Sequence, residues 1–202
     1  MHSYGIDSTE RRDVPFYLAI MASGLTIGLR SLLGRYGLQP GAVAYVPSGF
    51  ALYGLLHVLF DQFIWRIQLL RLTGIVRAPL LDGDWSGMLR SSASGYANAL
   101  NVKLRIHQTW STIRLTLESD NSFSSSNMAA IRAISAGQFE LRWEYRAEAK
   151  DPAQGVRFNH RGVTMLRFEI KKGVVCPEMN GDYYTQHGRD TNGSITATRV
   201  NT

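Results

Sequence analysis

Residues 100–107 have the sequence Leu-Asn-Val-Lys-Leu-Arg-Ile-His, in which every second side chain is apolar. A strict alternation of this kind predicts a β-strand with one face in a hydrophobic core and the other in water. The same period of two recurs in residues 113–118, 139–146 and 164–170. The second half of the chain is therefore predicted to be all β.

Shorter strands are predicted between these segments, at residues 84–90, 123–135, 176–184 and 194–200. Turn-forming residues separate the strands, for example the Ser-Asp-Asn-Ser sequence at residues 119–122. About eight short strands with such spacing favour a closed antiparallel barrel or a sandwich over βαβ units. We predict an eight-stranded antiparallel β-barrel, which has no exposed edge and has room for one small ligand.

The first part of the chain contains long apolar runs instead of alternation. Residues 14–29 are almost continuously apolar, and the run reaches the roughly 20 residues of a membrane span if the Arg30 side chain extends to the interface. A second run of span length covers residues 43–64. The turn sequence at residues 37–41 is too short for a folded domain, so the two runs predict a hairpin of two transmembrane helices.

The helical pattern is predicted to continue from Arg66 as a juxtamembrane linker until Pro79 ends it. The chain is thus divided into a two-transmembrane-helix hairpin with its linker, residues 1–77, and a β-barrel domain, residues 78–202.

Arginines indicate which way the hairpin is oriented. Positively charged residues are enriched on the cytoplasmic side of membrane helices. Five arginines lie at the outer ends of the hairpin and two flank its turn, so both termini of this two-pass membrane protein are predicted to be cytoplasmic. The five are Arg11, Arg12, Arg66, Arg71 and Arg77, and the two are Arg30 and Arg35.

Two pairs of residues in the helices are candidates for packing and output. Gly24 and Gly28 form a narrow strip where another helix can approach closely, either the second helix or another protomer. His57 and Asp61 are four residues apart and share one helix face, and ionisable groups in lipid normally face a partner or water. The alternative is that Asp61 lies among the lipid headgroups and His57 makes an ordinary bond between helices.

The overall charge argues against a nucleic-acid polymer as partner. The chain has 22 basic and 16 acidic residues, for a formal charge of +6, but the basic residues are dispersed and form no block that could follow a phosphate backbone. No DNA or RNA partner is therefore expected. A positive balance suits an anionic membrane surface or an anionic small ligand.

The sequence contains no constellation typical of an enzyme. It has no Gly-x-Ser-x-Gly motif, no phosphate-binding glycine-rich loop and no histidine pair at metal spacing. Cys176 is the sole cysteine, so one chain can form neither a disulfide nor a cysteine metal cluster. We expect no catalysis, no cofactor and no metal, although Asp82, Asp84 and Asp182 could meet at one barrel rim.

Three segments of the second half resemble one family. They are Leu-Asp-Gly-Asp-Trp-Ser-Gly at residues 81–87, His-Arg-Gly-Val-Thr-Met-Leu at 160–166, and Asn-Gly-Asp-Tyr-Tyr-Thr at 180–185, which continues through Gly-Arg-Asp-Thr-Asn-Gly at 188–193. Their order after a helical hairpin resembles the two-transmembrane, β-strand-rich effectors of bacterial cyclic-oligonucleotide anti-phage signalling (CBASS). The resemblance covers essentially the whole chain.

The resemblance implies an antiviral effector. Its barrel would bind a cyclic dinucleotide made by a partner nucleotidyltransferase, and binding would promote homo-oligomerisation. The clustered helices would then disrupt the inner membrane and stop growth of the infected cell.

A cyclic dinucleotide requires donors for two phosphates and aromatic faces for its bases. Two arginines near the end of the chain lie close in sequence to hydroxyl-bearing residues, and two aromatics lie on the predicted inward face of one strand. Trp85 is expected to plug a barrel end instead. The predicted ligand-binding residues are Arg189, Arg199, Tyr184, Thr185, Thr191, Trp143 and Tyr145.

The alternative function is a membrane-tethered, lipocalin-like binder of a lipid or another apolar molecule. The lining of the barrel distinguishes the two. A dinucleotide site should contain at least one arginine and several hydroxyls, whereas a lipid carrier should be lined by aliphatic side chains alone.

Overall fold

The computed structural model describes residues 1–36, 47–150, 159–186 and 189–200. The chain forms two compact units, one of Met1–Asp7 with Ala78–Thr202 and one of Ser8–Arg77. The first unit contains the strands and the second contains the helices.

The first unit is a closed β-barrel. Strands β2 to β9 are each hydrogen-bonded to their antiparallel neighbours in chain order, β2 pairs with β9, and the order of strands closes on itself. The predicted eight-stranded antiparallel barrel is confirmed, with one strand added. The strands are β1 His2–Ile6, β2 Gly83–Ser91, β3 Ala99–Gln108, β4 Thr112–Glu118, β5 Ser122–Ser135, β6 Gln138–Ala149, β7 His160–Lys171, β8 Val174–Thr185 and β9 Asn192–Arg199.

The added strand, β1, fills a gap between β4 and β5. These two strands pair only over residues 116–118 and 123–125. Beyond that point β1 lies between them, antiparallel to β4 at His2 and Ser3 and parallel to residues 129–131 of β5. The assignment of residues 1–7 to the helical part is wrong, because a five-residue strand with one buried side chain shows no measurable period.

Large apolar side chains fill one end of the barrel. Trp85 is 1% exposed and donates its indole N–H to the carbonyl of Leu81 at 3.1 Å. The side-chain amide of Gln108 accepts from the N–H of Leu81 at 2.8 Å and donates to the carbonyl of Pro79 at 3.0 Å and to the Tyr4 hydroxyl at 3.1 Å. We call this the plugged end, and its buried polar groups are hydrogen-bonded as a dry core requires.

The second unit contains helices α1 Glu10–Arg35, α2 Gly49–Gln62 and α3 Gln68–Leu72. Within the described residues α1 is the one helix long and apolar enough to cross a membrane. The start of the predicted second span and the predicted turn at residues 37–41 lie outside the described residues. The linker is less helical than predicted: α3 ends at Leu72, and Gly74 follows with a left-handed φ of 77° that breaks the helix.

Candidate ligand-binding cavity

The end of the barrel opposite the plug contains a cavity of about 280 Å³. The cavity exists because the inward-facing side chains are large at the plugged end and small at the opposite end. Inward residues near this end include Ser124, Ala147, Thr164 and Thr185, which are all lining residues with short side chains. Short side chains leave space that the tryptophans and leucines occupy at the plugged end.

One wall of the cavity carries a cation. Nη1 of Arg189 lies 3.1 Å from Nδ1 of His160, and both residues line the cavity. A guanidinium group can only donate, so Nδ1 accepts in this contact and the imidazole proton lies on Nε2. The wall can therefore present N–H donors to an anion.

Two buried tyrosines supply aromatic surface. Tyr145 and Tyr183 are each 7% exposed and line the cavity. Burial raises the pKa of the Tyr145 phenol well above its ordinary value, and burial raises the pKa of Tyr183 while a hydrogen bond with Ser91 and the nearby Arg189 act in the opposite direction. Both phenols are thus neutral donors at neutral pH.

Paired hydroxyls form the rim. Thr185 and Thr191 have their Oγ1 atoms 3.1 Å apart, and the N–H of Thr191 donates to Oγ1 of Thr185 at 2.9 Å. Ser119 and Ser122 close the β4–β5 turn in the same way, with 2.9 Å between their Oγ atoms. The rim is consequently polar and is fixed by short local hydrogen bonds.

Two family models and one curated protein are similar to this chain. Residues 76–199 match the family model of the Cap15 cyclic dinucleotide receptor domain. The chain belongs to the Cap15 family. Residues 12–66 match the model of the Cap15 transmembrane helices, so the chain is a membrane-associated protein. It is 29% identical to CD-NTase-associated protein 15 of Yersinia aleksiciae over 202 residues, which cover 94% of this chain and 92% of that protein.

Membership of the Cap15 family confirms the resemblance to the two-transmembrane effectors of CBASS. It also confirms the order of a helical region followed by a β domain whose family is described as a cyclic dinucleotide receptor.

Four of the predicted ligand residues meet in the cavity of this Cap15 barrel. They are Arg189, Thr185, Thr191 and Tyr145. The chain brings them together because β6 and β8 end at the same rim, and the β8–β9 turn carries Arg189 and Thr191 over it. All four belong to the described part of the chain.

The structure places the other three predicted residues elsewhere. Tyr184 is 47% exposed on the outer face of β8, because neighbouring residues of a strand point to opposite faces. Trp143 faces inward but is 2% exposed in the core below the cavity. Neither side chain lines the cavity.

Arg199 lies at the plugged end. Its Nη2 donates to the carbonyl of Asp82 at 2.7 Å and to that of Leu80 at 3.1 Å, and its guanidinium carbon lies 4.9 Å from the ring centre of Trp85. Burial lowers the pKa of Arg199. Arg199 pairs with Trp85 on β2, whereas Ser91 of the same strand lines the cavity. Trp85 and Ser91 are six residues apart, which is roughly 20 Å along a strand. Arg199 is therefore far from the cavity.

Sequence reasoning missed several lining residues, including Tyr183, His160, Ser124 and Asn98. For Tyr183 a signal existed, since it shares a strand face with Thr185 through the period of two. For Asn98 the signal was weaker: it follows the polar stretch Ser-Ser-Ala-Ser-Gly at residues 91–95, which marks only a loop.

The helical unit places its candidate residues on two faces. The buried positions along α1 lie at intervals of four residues and are Glu10, Val14, Leu18 and Ala22. Gly24 and Gly28 are exposed, and a Cβ atom added to either would meet nothing within 4 Å. In α2, His57 and Asp61 are half-buried on one face, and the His57 ring lies 5.9 Å from that of Tyr53.

Proposed function

We propose that the cavity binds a cyclic dinucleotide, with Arg189 donating to a phosphate and the rings of Tyr145 and Tyr183 contacting the bases. The observation that supports this most directly is the presence of one arginine among hydroxyl-bearing side chains at a single cavity. Charge-assisted hydrogen bonds are the strong contacts available to a phosphodiester. Thr185 and Thr191 add donors beside Arg189.

The same lining argues against the lipid-carrier alternative. Leu89, Leu100, Val102 and Leu117 give the cavity some aliphatic wall. An acyl chain would nevertheless leave the half-buried Arg189 guanidinium and the hydroxyls without hydrogen bonds to replace those of the displaced water, which costs free energy. A polar anion makes use of both kinds of surface.

We infer that the output resides in the helices. Ligand binding would promote homo-oligomerisation, and the clustered helices would disrupt the inner membrane, which they cross twice with both termini in the cytoplasm. The open space around Gly24 and Gly28 supports a role for that strip in contacts between protomers. We expect the chain to act as a receptor and not as an enzyme.

The test uses the full-length protein in detergent and a panel of cyclic dinucleotides covering purine and pyrimidine bases. A ligand that binds the folded state alone raises the melting temperature as its concentration increases, because binding shifts the folding equilibrium. At least one member of the panel is expected to do so. A panel without any effect would contradict the proposal, and a shift produced only by fatty acids or detergents would favour the lipid alternative.

A further inference from the structure

The loop between β2 and β3, residues 92–98, lies at the mouth of the cavity. Ala93, Ser94 and Asn98 line the cavity from this loop. The side chains from residue 93 to residue 98 are all exposed. Exposed segments without buried apolar contacts open locally at low cost, so hydrogen bonds must keep this loop in place.

Tyr96 adopts a strained backbone conformation within the loop. Its φ is 63°, and it follows Gly95 with a φ of 59°. The left-handed region suits glycine but is unfavourable for a bulky residue such as tyrosine. Strain of this kind persists only when the surroundings hold it. Glycine would fit the position better, so the tyrosine side chain must have a use.

The tyrosine side chain forms a hydrogen bond that glycine could not form. The Tyr96 hydroxyl donates to Oδ1 of Asn192 at 2.5 Å, and the backbone N–H of Asn192 donates to Oγ of Ser92 at 3.1 Å. The first residue of the loop and its fifth are thereby both joined to Asn192. We call Ser92, Tyr96 and Asn192 the latch.

The latch connects two parts of the cavity wall. Asn192 is the first residue of β9 and directly follows the turn that carries Arg189 and Thr191. A ligand held by that turn would also fix the position of Asn192, and through it the loop. The loop and the cationic wall are therefore mechanically linked.

We propose that residues 92–98 form a lid over the cavity and that the latch holds it closed. The lid opens by breaking the bonds of Asn192 and thereby controls the entry and exit of molecules. This inference rests on the proposed function only for the identity of the molecule that enters.

The first test measures access to the cavity without any nucleotide. In the full-length protein Cys176→Ser removes the native thiol, and Ser124→Cys introduces one at a position that is 6% exposed and lines the cavity. Its reaction rate with a small maleimide reports how often the lid is open. Tyr96→Phe removes one neutral hydrogen bond and is expected to raise this rate by about 2- to 10-fold.

Tyr184→Phe is the matched control. Tyr184 is 47% exposed, as Tyr96 is, but it lies on the outer face of the barrel. Removing its hydroxyl should therefore leave the labelling rate unchanged. Asn192→Ala should raise the rate as much as Tyr96→Phe does. The double variant should raise it little further, because both substitutions remove the same hydrogen bond between the two side chains. Equal rates for the parent and Tyr96→Phe would overturn the proposal.

Hydrogen exchange provides a second measurement. The N–H groups of Gly95 and Tyr96 bond to the carbonyls of Ser92 and Ser91 at 3.0 and 2.9 Å. Tyr96→Phe should speed their exchange while leaving that of β2 and β9 unchanged; unchanged exchange at both amides would contradict the latch. Protection of the thiol at position 124 by a cyclic dinucleotide tests the proposed function separately. Failure of the lid proposal can therefore be distinguished from failure of the proposed nucleotide binding.

Discussion

Two arginines near the end of the chain have different environments and should respond differently to substitution. Arg189→Ala removes the cation of the cavity wall. Loss of one charge-assisted hydrogen bond costs roughly 1.5 to 3 kcal/mol, so affinity for a cyclic dinucleotide should fall about 10- to 150-fold. Calorimetry on the full-length protein measures this, with Arg146→Ala as the control because Arg146 is exposed on the outer face of β6.

Arg199→Ala should instead lower the melting temperature and leave affinity nearly unchanged. The substitution breaks two bonds to carbonyl oxygens and the contact with Trp85 at the plugged end. Thermal unfolding and calorimetry separate the two effects. A large loss of affinity with an unchanged melting temperature would show that Arg199 contacts the ligand after all.

Tyr183 and Tyr184 show which residues of the site can be predicted from the sequence. The period of two places Thr185 and Tyr183 on one face, so the choice of Tyr183 was available from the sequence. The contact of His160 with Arg189 was not, because it joins residues 29 positions apart through the pairing of β7 and β8. Local periodicity predicts which face a residue occupies but not which turn lies above it.

Strand β1 should contribute to barrel stability although it is short. Tyr4 is 6% exposed and its hydroxyl accepts from Gln108 at 3.1 Å. Tyr4→Ala removes a buried aromatic, a change that typically costs about 3 to 5 kcal/mol, and should lower the thermal midpoint by several degrees. The exposed neighbour Ser3 offers the control Ser3→Ala, and equal midpoints for both variants would show that β1 is dispensable.

The same strand explains a limit of prediction at the scale of elements. Strands β3 and β6 could be predicted from alternation because each is 10 residues or longer. Strand β1 is stabilised by partners more than 100 residues away, such as Ser126, whose Oγ lies 2.7 Å from Nε2 of His2 and accepts from the N–H of Leu115. No local pattern contains that information.

For the whole molecule, recognition and output are assigned to separate units, and this separation can be tested. Gly24→Leu with Gly28→Leu adds bulk to the exposed strip of α1, where no neighbouring atom lies within 4 Å of the added Cβ atoms. The barrel is unaltered, so the thermal shift with a cyclic dinucleotide should be retained. If protomers meet along this strip, cells that express the double variant together with the cyclic dinucleotide should no longer show growth arrest.

Gly54→Leu in α2 is a closely matched control, since an added Cβ there also meets nothing within 4 Å. All three changes replace a helical glycine by a better helix former, so a general effect on helix stability would appear in each. Loss of growth arrest with Gly24→Leu and Gly28→Leu alone would locate the contact between protomers on α1. Retained arrest in the double variant would exclude this strip, and loss in both the double variant and Gly54→Leu would show that added bulk on any exposed face of the helices blocks the output.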